Sequence, residues 1–288
     1  MNHNRYGYLF ISPWLVGLLV FTALPIIASG YLSFCSYDIV SPPKWIGLAN
    51  YSELLLHDAR FWKALWNTLR YAALALPLCM ATAFGLALLL NLELPGISIY
   101  RTIFYLPNII PAVASAVVFQ WILNPQIGLV NGLLGLFGIQ GPAWLQDQVW
   151  AMRSLVLLSV WGVGGSVVIY LAGLKDIPES LYEAALVDGA NAWQRTLHIT
   201  FPMMTPIIFY NLIMGIIGTF QYFTQAYVMT QGGPADSTLF YALYLFFQAW
   251  RYLNMGTASA MAWILFLIVI LTTWLAFRSQ KHWVHYDR

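Results

Sequence analysis

The chain has 288 residues, 60% hydrophobic and 8% charged, with a formal net charge of +2. A water-soluble domain carries about 25% charged residues, so this composition excludes an ordinary soluble globule. The small net charge leaves no electrostatic footprint for nucleic acid. An all-α polytopic membrane protein is predicted, one domain over 1–288, with lipid as solvent over much of its surface.

Stretches without Asp, Glu, Lys or Arg set the predicted spans. They cover 6–37, 71–92, 102–146, 154–174, 196–235 and 252–277, each long enough for the roughly 20 apolar residues of one crossing. The first span, near 9–33, is too long for a cleavable signal peptide and lacks a small-x-small exit, so it stays as a span. The segment 38–70 mixes Asp38, Lys44, Glu53, Asp58, Arg60 and Lys63 with Trp45, Tyr51, Phe61 and Trp62. It reads as an outer interfacial connection with a short amphipathic helix. Spans two and three follow near 71–91 and 103–123. The breakers Asn124, Pro125, Gly128, Asn131, Gly132, Gly135, Gly138, Gly141 and Pro142 make 124–153 an outer loop. Span four lies near 154–174.

The next segment, 175–200, is too polar for lipid: four of the eleven acidic residues lie between Asp176 and Asp188. Pro178 suits a first helical turn, Glu179 and Glu183 share a face, and Gly189 is placed as a left-handed terminator. Asn191 can cap a second short helix running through Trp193 to Ile199. Tight start and stop signals with alanines on one side predict a docking element. Pro202 opens span five, near 203–229. Within it Thr219, Gln221, Tyr222 and Gln225 form a polar patch, with Trp161 of span four and Gln120 of span three as weaker members. Such groups either meet a hydroxyl-rich solute or bond neighbouring helices. Gly232-Gly233-Pro234 opens an outer loop over 230–254, and span six lies near 255–277.

Six spans put both termini on one side. Arg5, Arg101, Lys175, Arg195, Arg278, Lys281 and Arg288 fall on the shorter segments, and Lys44, Arg60, Lys63, Arg70, Arg153 and Arg251 on the longer ones. The denser cations mark the inside, so the expected topology is N-in, C-in. Cys35 and Cys79 are not spaced as a metal or redox pair. His282 and His285 read as a tail at the headgroups. No His-Glu-x-x-His, Gly-x-Ser-x-Gly or phosphate-loop motif occurs, so no catalytic or metal residue is expected and any ATP binds another chain.

The run Glu183-Ala184-Ala185, three residues, Gly189, nine residues, Ile199, one residue and Pro202 resembles the signature loop of binding-protein-dependent importer permeases. Phe201 and Thr196 depart from that pattern at packing positions. Trp45–Tyr51 (Trp-Ile-Gly-Leu-Ala-Asn-Tyr), Gly128-Leu129-Val130-Asn131, Ala172-Gly173-Leu174, Leu181-Tyr182 and Thr230-Gln231-Gly232-Gly233-Pro234 resemble the sugar branch, in its maltose-type and glycerol-phosphate-type subunits. The resemblance implies the type I ABC importer permease fold in a bacterial or archaeal cytoplasmic membrane. It implies a second, related permease subunit, a cytosolic ATPase dimer and an extracytoplasmic sugar-binding protein, with ATP and Mg held by the ATPase. It assigns ATPase coupling to Glu183, Ala184, Ala185, Asp188, Gly189, Ile199 and Pro202, and transport of a neutral sugar or polyol to the whole.

Overall fold

Lipid cannot hydrogen-bond a peptide group, so an apolar run of span length must satisfy its own backbone as helix. The computed structural model describes residues 3–285, with side chains from Gly7 onward. Arg288, counted above among the inner cations, lies outside the described residues, as does the side chain of Arg5. Four helical stretches are long and apolar enough to cross a membrane: Gly7–Leu32, Ala59–Leu90, Ala192–Met229 and Met255–His282. Two bent pairs bring the candidates to six if each is one broken span: Ile97–Asn108 with Ala112–Ile122 at 96° and Gln148–Trp161 with Gly164–Lys175 at 43°. These are the six predicted spans, in order.

The chain divides into two compact units, Met1–Trp62 with Tyr244–Ile268, and Lys63–Leu243 with Val269–Arg288. In the first unit a two-residue ribbon, Cys35–Ser36 against Lys44–Trp45, closes the outer turn after span one. Asn50 holds that turn: its Nδ2 donates to the carbonyls of Ser33 and Cys35, both at 2.9 Å. A Cβ at Gly256 would lie 2.0 Å from the Cys35 carbonyl oxygen, so the backbone of span six needs a glycine there. Gln248 donates to the Tyr244 hydroxyl at 2.8 Å, and that hydroxyl donates to Asp58 Oδ2 at 2.6 Å.

Asp58 also explains a correction. Its Oδ1 accepts from the backbone nitrogens of Arg60 and Phe61 at 2.9 and 3.1 Å, capping a 32-residue helix that starts at Ala59. The expected span two began at 71 because Arg60, Lys63 and Arg70 resemble loop when only charge-free runs are counted. They are the polar end of one helix. Span four likewise starts at Gln148, capped by Asp147. The supposed outer loop 230–254 contains a helix, Tyr241–Phe246, extended by a π turn over Phe247–Arg251.

The second unit has its core where spans two, four and five meet: Ala83, Ala87, Val167, Tyr170, Leu174 and Met204 are buried together. The tail returns to this unit. Trp283 packs edge-on to Phe209 at 5.9 Å, and the His285 backbone nitrogen donates to Thr205 Oγ1 at 2.9 Å.

Candidate functional site

Two features of the second unit carry chemistry. The first is the segment 175–200. Pro178 precedes a helix over Glu179–Val187, nine residues and about 13 Å. Gly189 has φ +80°. The Ala190 nitrogen donates to the Ala185 carbonyl at 2.9 Å and the Gly189 nitrogen to the Leu186 carbonyl at 3.0 Å. That pair of bonds is a Schellman motif, which fixes the helix end and selects glycine at the left-handed position. Asn191 then caps the next helix with a reciprocal box, its Oδ1 accepting from the Gln194 nitrogen at 2.9 Å while Gln194 Oε1 accepts from the Asn191 nitrogen at 2.8 Å.

The second helix differs from expectation. It does not stop before span five. Ala192–Arg195 passes through a π turn, Thr196–Thr200, directly into Phe201–Phe220. Ile199 and Pro202 are therefore half-buried behind the hairpin, Ile199 packing on the core cluster. Glu183, Ala184, Asp188 and Gly189 are exposed, and Ala185 is half-buried. Leu186 and Val187 are exposed too, Val187 at 89%. Tyr182 turns inward, its hydroxyl 2.9 Å from Thr200 Oγ1. A nine-residue helix is too short to hold itself in water. Here Tyr182, the buried Ile177 and the two caps hold it, and its outer side is left for another surface.

The second feature is a cavity of about 420 Å³, within the range of ligand sites. Three interruptions of membrane helices line it. Span three is unwound around Pro107–Pro111: proline cannot donate and disfavours helix in the residue before it. Span four stops at Trp161 and resumes at Gly164. Span five, expected as one helix to 229, stops at Phe220 and resumes at Thr224. Pro107, Asn108, Trp161, Gly162, Thr219 and Tyr222 all face this cavity. No Asp, Glu, Lys or Arg lines it.

Its wall is aromatic and hydroxylic. The Tyr71 and Tyr222 rings lie 4.4 Å apart between centroids, and the Tyr71 hydroxyl donates to Ser159 Oγ at 3.1 Å. The Tyr222 hydroxyl is buried, and the Tyr71 hydroxyl is its neighbour within hydrogen-bonding reach, though not in good geometry. Trp161 is held edge-on by Phe119 at 5.1 Å. Close backbone packing fixes the breaks: a Cβ at Gly164 would lie 2.5 Å from the Phe104 carbonyl oxygen and 3.0 Å from Tyr105 Cα.

The structure thus gathers Thr219, Tyr222, Gln225 and Trp161 at one cavity and separates them from the other two predicted members. Gln221 is exposed at the end of the span-five helix. Gln120 donates to the carbonyls of Val228 and Met229 at 2.8 and 3.2 Å, bonding a neighbouring helix. Tyr71, Asn108 and Ser159 belong to the site and were not singled out from sequence. Cys79, read as packing, lines the same wall.

The family described as "Binding-protein-dependent transport system inner membrane component" matches residues 81–284. A probable ABC transporter permease protein, YesP, of Bacillus subtilis (strain 168) is 48% identical over 288 residues, covering 99% of this chain and 93% of that protein. The lactose transport system permease protein LacF of Rhizobium radiobacter is 33% identical, covering 96% of this chain and 94% of that protein. Among solved structures, a bacterial alginate ABC transporter in complex with an alginate pentasaccharide-bound periplasmic protein contains a chain of the same fold. Its TM-score is 0.86 at 23% identity, over 96% of this chain and 94% of that one.

The close contact at the span-four break gives a stability prediction. Gly164→Ala forces backbone against backbone and should cost about 1–3 kcal/mol. Gly218→Ala, at a cavity-lining position with nothing within 4 Å of the added Cβ, should change stability by about 0.5 kcal/mol or less. Thermal unfolding of the purified protein in detergent separates the two, and equal losses would contradict the packing described.

Proposed function

The chain belongs to the family of inner membrane components of binding-protein-dependent transport systems, and on that premise we propose that it passes a neutral sugar or related polyol through the cavity at the three helix breaks. It is a multi-pass membrane component of an ABC importer and not an enzyme. The observation that carries the solute reading is an uncharged cavity at three helix breaks, walled by Tyr71, Trp161, Thr219, Tyr222 and Gln225. A sugar supplies donors and acceptors in dense array, and tyrosine and tryptophan rings suit the apolar face of a pyranose. Unwound backbone is tolerated at membrane depth only where it is buried in protein or lines a cavity, and broken helices commonly frame transported solutes. The lactose permease relative supports a saccharide. Neutrality rests on the cavity wall, which offers no cation to an acidic sugar.

On this reading the exposed hairpin is the contact for a cytosolic ATPase dimer, which holds ATP and Mg, and the topology is N-in, C-in. Leu186, Val187 and Ala184 would pack in a groove on the ATPase, and Glu183 would accept a charge-assisted bond from a basic residue there. A second, related permease completes the path, and an extracytoplasmic sugar-binding protein delivers the solute. The hairpin leads directly into the helix that ends at the cavity, so closure of the ATPase dimer would move one wall of the cavity.

Two experiments test the two halves of this proposal. Tyr222→Phe removes a hydroxyl whose one protein neighbour, Tyr71, is poorly aligned with it, so it should change stability by about 1 kcal/mol or less while lowering uptake about tenfold, as for the loss of one good hydrogen bond to substrate. Gln225→Ala should act alike, and Gln221→Ala should not. Unchanged uptake in Tyr222→Phe and Gln225→Ala would assign these groups to helix packing. For coupling, Glu183→Lys should leave insertion and the second permease in place but abolish uptake and substrate-stimulated ATP hydrolysis. Normal substrate-stimulated hydrolysis in that variant would remove Glu183 from the contact.

A further inference from the structure

The Gly-rich loop between spans three and four is built around a helix whose amphipathic pattern is reversed. Leu129–Leu136 forms eight residues of helix after Gly128. A helix that faces water puts leucines inward and polar groups outward. Here Leu129, Leu133 and Leu136 share the exposed face, and Asn131 lies half-buried on the opposite side. Ile127, Phe137 and Ile139 flank the leucines and are exposed as well, Ile127 at 85% and Phe137 at 79%.

This face is not that of a slack loop. Asn131 is a hub: its Nδ2 donates to the carbonyls of Pro125 and Pro142 at 3.1 and 3.3 Å, and its Oδ1 accepts from Trp144 Nε1 at 2.7 Å. Ser154 of span four donates to the Trp144 carbonyl at 3.0 Å. A Schellman pair, Ile139 to Leu134 and Gly138 to Gly135, both at 3.0 Å, stops the helix at Gly138, whose φ is +72°. A Cβ at Gly141 would lie 2.0 Å from Asn131 Oδ1, so the returning strand of the loop is seated against the hub. The loop spends its polar groups on itself and presents its aliphatic ones.

We propose that this loop is a membrane-interface element: the face formed by Leu129, Leu133, Leu136 and Phe137 is immersed at the headgroup–acyl boundary of the outer leaflet, and its occupant is lipid. Charge and continuity identify lipid. The chain carries no Asp, Glu, Lys or Arg from 102 to 146, so nothing on the loop opposes immersion. Protein–protein contacts carry a polar rim and about one hydrogen bond per 100–200 Å², whereas these four side chains have no polar atom to contribute. The face also continues an exposed apolar surface: Trp121, 77% exposed, stands at the end of span three just before the loop. Trp144 and Trp150, 5.0 Å apart, stand at the start of span four, with the Arg153 guanidinium 5.0 Å over the Trp150 ring. Tryptophan with a neighbouring cation at span ends is the composition of the membrane–water boundary. The loop would then brace the outer ends of spans three and four against the bilayer, the two spans whose breaks line the cavity.

The test uses the complete transporter with Cys35 and Cys79 replaced by alanine, reconstituted in vesicles of phosphatidylethanolamine and phosphatidylglycerol. Leu133→Cys and Leu136→Cys, each labelled with bimane, are compared with Gln146→Cys at the exposed end of the same loop. Phosphatidylcholine brominated on its acyl chains should remove about half of the emission at 133 and 136, as expected for a face sunk about 5–10 Å into the boundary, and little at 146. Aqueous iodide should do the reverse. Iodide quenching at 133 and 136 equal to that at 146 would overturn the proposal in favour of water. Shielding of both positions from both quenchers, relieved when a partner subunit or the sugar-binding protein is removed, would overturn it in favour of a protein contact.

Discussion

A backbone carbonyl or amide left unpaired in hydrocarbon costs several kcal/mol, and the architecture of the second unit depends on that constraint. It forces each apolar run into helix and leaves few places where a helix can be interrupted. Three interruptions occur, at Pro107–Pro111, at Gly162 with Val163, and at Gln221–Phe223, and residues from all three face one cavity. Gly164 permits the close backbone approach that keeps spans three and four together at this level.

The same helix that ends at the cavity begins at the cytosolic hairpin of the proposed topology. From Ala192 to Phe220 the chain is continuous helix, with one π turn over Thr196–Thr200, about 40 Å at 1.5 Å per residue. The π turn and the internal Pro206 are the points at which such a helix can bend. On the proposed coupling, displacement of the Glu179–Val187 hairpin would reach Thr219 through this helix. Tyr182 and the Asn191 capping box tie the hairpin to this helix.

Much of this was legible in the sequence. Charge-free runs located all six crossings, because burying an ionised group in lipid is costly enough to leave a clear record. The hairpin was legible because its signals are local: Gly189 and Asn191 each act within one turn and as expected, while Pro178, expected in the first turn, stands one residue before it as the N-cap. What stayed hidden depended on neighbours distant in sequence. Pro107 and Pro111 lay inside a predicted span and signalled a break, but charge counting is blind to proline. Tyr71 and Ser159 come together only through packing. Gln120 and Gln225 look alike in sequence, and only the fold shows one bonded to helix carbonyls and the other facing the cavity. The loop 124–153 was read from its glycines as unstructured, whereas Gly128, Gly138 and Gly141 are close-contact and turn positions around a helix.

The central claim is that solute passes the point where the three helix breaks meet. The most direct measurement is thiol protection at Ala112→Cys, a cavity-lining position, in an otherwise cysteine-free transporter reconstituted with its ATPase and sugar-binding protein. The rate of modification by a small thiol reagent is followed during ATP-driven turnover, with and without the transported sugar. The account predicts that sugar slows modification and that modification, once complete, blocks uptake. Modification at the same rate with and without sugar, leaving uptake intact, would contradict it.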